Sequence, residues 1–166
     1  SFWSKYVFSF DHKVIGKQFL FTALGFFTLG GLLALLMRTQ LAWPWKEIPV
    51  LGPLLYGESG NILSPEAYPA LVTMHGTLMI FFVISFALVS GFGNFIIPLH
   101  IGARDMAYPF LNMLSYWTIV PACILMVISF FVPEGAAAAG WTAYPSLSAL
   151  KEAVPGSGLG QTLWLL

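Results

Sequence analysis

Three histidines, His12, His75 and His100, are the side chains best suited to hold a metal or move a proton. His75 stands a few residues inside LVTMHGTLMIFFVISFALV, a run apolar enough to enter a membrane. An ionisable group in hydrocarbon needs a partner, and by default it marks a functional site. Neutral imidazole is the commonest metal-ligating side chain, so one reading of His75 is a metal or haem ligand. The other is an interfacial histidine bonded to a backbone carbonyl. Gly76 beside it, and Gly25, Gly30 and Gly31 on the preceding apolar run, would let a flat macrocycle approach. Small residues at helix contacts are also ordinary in membranes. Arg38 could bond a cofactor oxygen or simply snorkel from a helix end. Trp141 could face the same group or belong to an interfacial belt.

A second polar cluster lies further along. Asn94, Asp105 and Asn112 are spaced eleven (105 − 94) and seven (112 − 105) residues apart. A carboxylate flanked by amides at a membrane mouth can collect protons while the amides order water. The plainer alternative is capping, with Asp105 as N-cap of the helix that follows. The single cysteine, Cys123, lies in an apolar run; it can form no internal disulfide and fits no zinc pattern.

The elements that must carry these residues are membrane spans. Of the 166 residues, 58% are hydrophobic and only 8% charged, against roughly 25% charged in a soluble domain. Mean hydropathy is +0.81. A formal net charge of +0 gives no basis for nucleic-acid binding. Three runs reach the length of about 20 apolar residues that a span needs: roughly 19–37, 71–97 and 107–132, the last with Pro121 as an expected kink. A fourth is expected to begin near residue 162, in LWLL. The expected fold is all-α, a polytopic transmembrane helical bundle. The loop 39–70 is long and carries Pro44, Pro49, Pro53, Pro65 and Pro69. The GSG at 156–158 reads as a flexible linker or an interhelical loop. The residues before the first run show no cleavable leader pattern.

Charge sets an expected orientation. Lys5, Lys13, Lys17 and Arg104 fall on the side of the N-terminus, and Arg38, Lys46 and Lys151 on the other, which favours the N-terminus inside. Glu47, Glu58, Glu66, Glu134 and Glu152 then fall outside, and Asp11 and Asp105 inside. Arg38, His75 and Trp141 are thereby expected near the outer face, and Asn94, Asp105 and Asn112 near the inner one. An ideal helix rises about 28 Å between His75 and Asn94, so two separate polar sites are expected.

At this point the motifs become specific. FDHKVIG at 10–16, MHGTLMIFF at 74–82, SGFGNFIIPLHIGARDMAYPFLN at 90–112 and GWTAYPSLSA at 140–149 together resemble subunit I of the haem-copper oxidases, on the cytochrome c oxidase branch. The resemblance covers almost the whole chain as an N-terminal part of that subunit. It implies that His75 is an axial iron ligand of a low-spin haem, of the a type, that Arg38 bonds its formyl group, and that Trp141 lies near its propionates. It implies that Asp105 is the acid at the mouth of a proton channel whose entrance Asn94 and Asn112 line. A high-spin haem and copper are implied too, with ligands beyond residue 166. So are oxidase subunits II and III, the rest of subunit I and cytochrome c as partners, and a bacterial-type plasma membrane with a cytoplasmic N-terminus.

The chain departs from the family pattern in places. Phe19 stands where Tyr is usual, His100 where Gln is, Gln40 where a cation-associated Glu is common, and Ser146 where Pro is. A quinol-oxidising relative would carry Arg, Asp, His and Gln where this chain has Leu29, Leu33, Ala67 and Ala70, which argues against a quinol site. A degenerate helical scaffold that binds nothing is the non-enzymatic rival.

Overall fold

Asp11 stands where the chain turns into its first long helix, and it acts as the cap. Its Oδ1 accepts the amide of Lys13 at 2.7 Å, satisfying one of the orphan donors of a helix start. Ser9 Oγ accepts the Asp11 amide at 3.2 Å. Helix α1 then runs His12–Ala42. The computed structural model describes residues 2–47, 63, 65, 67–133, 135–149 and 157–166. Most of the 39–70 loop, part of the GSG stretch, and Glu58, Glu66, Glu134, Lys151 and Glu152 lie outside the described residues.

The second span is wound in three pieces: α2 (Tyr68–Thr77), a π-helix over Leu78–Phe92 and α3 (Gly93–His100). In the π-helix the buried residues are Leu78, Phe82, Phe86 and Gly91. They recur at a longer mean interval than the ~3.6 residues of an α-turn, as wider winding requires. Ser85 Oγ donates to the Ile80 carbonyl five residues back, at 3.1 Å. The third span starts with Pro109 at its first position, where a missing N–H costs nothing. It runs as α4 (Pro109–Ile128) and tightens to a 3₁₀ turn over Ser129–Phe131. Two short helices follow, α5 (Pro145–Ser148) and α6 (Leu159–Leu165). Three helices, His12–Ala42, Tyr68–His100 and Pro109–Phe131, are long and apolar enough to cross a membrane. They overrun the apolar stretches because flanking segments with polar residues, such as His12, Lys13, Lys17 and Gln18, keep the helical winding. The fold is all-α, with no strand among the described residues.

Two compact units can be distinguished: Ser1–Thr28 with Leu78–Ala122, and Leu29–Thr77 with Cys123–Leu166. The first has an aromatic core. Phe19 packs edge-on to Phe86 and Tyr116, with centroids 5.9 and 5.1 Å away, and Phe26 lies 4.8 Å from Phe82. Beside it Gly16 and Gly91 allow close backbone approach: a Cβ on Gly16 would fall 2.9 Å from the Gly91 carbonyl oxygen, and one on Gly91 only 2.7 Å from Leu20. This is small-residue helix packing of the kind membranes favour. The second unit has an aliphatic core of Leu33, Leu36, Leu71 and Met74, with the buried run Ala136–Ala139. Gly160 lies against the Gly135 carbonyl, where no side chain would fit. Exposed Phe21, Leu35, Val89 and Leu111 give the helices apolar outer faces.

Candidate functional sites: a histidine ligand and a proton-uptake cluster

In the second unit, His75 Nδ1 lies 2.8 Å from the carbonyl oxygen of Gly30. A carbonyl only accepts, so Nδ1 carries the proton and donates. In a neutral ring the lone pair then resides on Nε2, the form in which a histidine binds a metal once its other nitrogen is held by a carbonyl. A Cβ built on Gly31 or Gly76 meets nothing within 4 Å, so both backbones border open space. A fixed tautomer beside two bare backbone stretches fits a flat, metal-centred group.

Two threonines flank the histidine in sequence. Thr73 Oγ1 accepts the amide of Gly140 at 3.0 Å, and Thr77 Oγ1 accepts the indole N–H of Trp164 at 3.0 Å. Gly140 has φ +74°, a left-handed turn that glycine adopts without a Cβ penalty. That turn ties the segment bearing Trp141, itself exposed, to α2. Arg38 is exposed on α1, eight residues beyond Gly30. Among the described residues no hydrogen bond joins it to His75. Gln40 Oε1 is buried without a hydrogen-bond partner, and so are both polar atoms of the Gln161 side chain.

In the first unit, Pro98 lies inside α3 and has no N–H, so the Asn94 carbonyl lacks its α-turn donor. His12 Nδ1 fills that position at 2.8 Å. The Asn94 amide turns back to the Ser90 carbonyl at 2.7 Å. Asp105 Oδ1 accepts the Met106 amide at 2.7 Å and the backbone amide of His12 at 3.3 Å. Helix α4 starts only at Pro109, so Asp105 supports the first turn of α1 rather than capping the helix that follows it. His12 thus joins Asp105 to Asn94. Asn112 lies in the first turn of α4, with Nδ2 buried and unpaired. His12 Nε2 is likewise buried and unpaired. Phe19 is sealed among aromatic rings, and Tyr116, one of them, pairs its hydroxyl with that of Thr22, 3.1 Å away. His100 and Ser146 are exposed.

Sequence reasoning named His12 without giving it a role and did not single out Thr73 or Thr77. For His12 a signal was present: a proline four residues after Asn94 leaves a carbonyl for another segment to satisfy. For the threonines there was none, because their partners lie 67 and 87 residues away.

Three helices long and apolar enough to cross a membrane define a polytopic helical membrane protein. The family described as cytochrome c and quinol oxidase polypeptide I matches residues 14–166, and the chain belongs to that family. It is 43% identical over 161 residues to cytochrome c oxidase subunit 1 of Thermostichus vulcanus, covering 97% of this chain. It is 44% identical over 165 residues to that of Synechocystis sp., covering 99%. An alternative cytochrome c oxidase subunit 1 of Bradyrhizobium diazoefficiens is 38% identical over 165 residues, covering 99% of this chain. The chain spans about a quarter of the length of these curated relatives, 25% of the first and 26% of the other two.

Proposed function

We propose that this chain is the N-terminal part of the catalytic subunit of a terminal respiratory oxidase. Electrons from cytochrome c pass through a low-spin haem and reduce O2 to water, coupled to proton uptake and pumping. The observation that carries this reading is the His75 Nδ1–Gly30 carbonyl bond, which leaves Nε2 as the free ligand atom. His75 would hold the iron of the haem, of the a type; Arg38 would donate to its formyl oxygen, and Trp141 would lie near its propionates. When bound, that haem supplies one-electron transfer.

On the proton side, Asp105 takes up protons. Asn94 and Asn112 order the water that carries them inward, and the unpaired Asn112 Nδ2 is a donor in want of such water. This cluster faces the cytoplasm, at the N-terminal side of a bacterial-type plasma membrane. The high-spin haem and copper, subunits II and III and the remainder of subunit I complete the enzyme. Cytochrome c rather than quinol is the donor, since Leu33 is a buried core residue of α1 where a quinol site would need an acid; the relatives' names support this.

The test is the optical spectrum of the assembled oxidase carrying His75→Ala. The low-spin haem band disappears if the ligand assignment holds. A full band with full haem content refutes it.

A further inference from the structure

We propose that Thr77 and Trp164 form a positioning pair that sets the rotation of α2, and with it the direction in which His75 presents Nε2. The inference rests on the reading of His75 as the iron ligand. Thr73 and Thr77 are four residues apart and share one face of α2. His75 lies two residues from each, about 200° around the helix. The helix is therefore held from two sides: the Gly30 carbonyl takes the imidazole on one, while Gly140 and Trp164 donate to the threonines on the other. Both threonines are buried, at 7% and 3% exposure. An indole N–H only donates, so the Trp164–Thr77 bond has one polarity, and losing the threonine oxygen strands a donor. Thr77 is also the last residue of α2 before π-winding begins at Leu78. A grip at that junction keeps the change of winding from rotating the turn that bears His75. Neither residue touches the iron in this arrangement; they act through the histidine.

The experiment uses the assembled oxidase with four single substitutions, Trp164→Phe, Thr77→Val, Thr77→Ser and His75→Ala, and the double variant Trp164→Phe/Thr77→Val. The readout is the electron paramagnetic resonance of the low-spin ferric haem, whose g-anisotropy follows the orientation of the axial imidazole plane. Trp164→Phe and Thr77→Val are expected to shift the g-values in the same direction. The double variant shifts them no further than either single, because one bond is lost in all three. Thr77→Ser, which keeps the acceptor, restores the parent signal. Unchanged g-values in both Trp164→Phe and Thr77→Val, with the signal abolished by His75→Ala, overturn the pair and leave the ligand assignment standing. A low-spin signal that survives His75→Ala overturns both. Additive shifts in the double variant also overturn the pair, since the two residues would then act separately.

Discussion

The surroundings of His75 and of Asp105 treat buried polar side chains differently. Around His75 the side chains are paired: the imidazole has its carbonyl, and both flanking threonines have their donors. In the first unit His12 Nε2, on the residue whose amide Asp105 accepts, and Asn112 Nδ2 are buried without partners. An unpaired buried polar atom costs about 1–3 kcal/mol, and such atoms are commonly satisfied by buried water. A group that must hold a cofactor in one orientation gains from complete pairing. A group that must pass protons gains from donors and acceptors kept open for water. The second unit is not fully paired either: Gln40 Oε1 on α1 and both polar atoms of the Gln161 side chain on α6 are buried without partners.

The largest stability effect should come from the aromatic core of the first unit. Phe19→Ala removes a ring that is 1% exposed and packed by two others, at a cost of about 3–5 kcal/mol. Thermal unfolding in detergent would show it, with the low-spin haem band unmoved at temperatures where the protein remains folded. A shifted band would mean that the two regions are not independent.

His12 gives a smaller and sharper test. His12→Leu leaves the Asn94 carbonyl without a donor beside Pro98 and should cost about 1–3 kcal/mol. His12→Asn places an amide N–H near the lost Nδ1 and should recover most of that stability. Equal melting temperatures for the two variants would show that the imidazole fills space and bonds nothing.

Arg38→Met should have the least effect on stability, because the side chain is exposed. Its signature is spectral. A guanidinium bonded to a formyl oxygen withdraws electron density, so its loss should move the haem band to the blue with the iron still held. An unmoved band would return Arg38 to a snorkelling role.

His75 stood out in the sequence because an ionisable residue inside an apolar run is rare and must be accounted for. The acid-amide cluster was legible as a composition but not as a structure. Asp105 reads locally as a cap for the next helix, yet its partner is the amide of His12, 93 residues earlier. Pairing across that distance depends on helix packing, which periodicity does not encode. The π-winding of Leu78–Phe92 was hidden for a related reason. In a continuous apolar run such as LMIFFVISFALVSGF the polar face that would reveal the period is missing. The span count followed from hydropathy alone, whereas the helix ends did not, because His12, Lys13, Lys17 and Gln18 interrupt the apolar pattern and are still helical.

The measurement that bears most directly on two separately specialised polar regions is proton release by Asp105→Asn oxidase in reconstituted vesicles. Stopped-flow would follow a pH indicator outside the vesicles together with the haem spectrum. The substitution keeps the shape of the side chain and removes its exchangeable proton, so turnover should fall by roughly 10²-fold and net acidification should cease. Haem content and first-turnover reduction of the low-spin haem should stay near those of the parent enzyme. Normal acidification by the variant would contradict the proton-uptake role and leave Asp105 as a support for the first turn of α1.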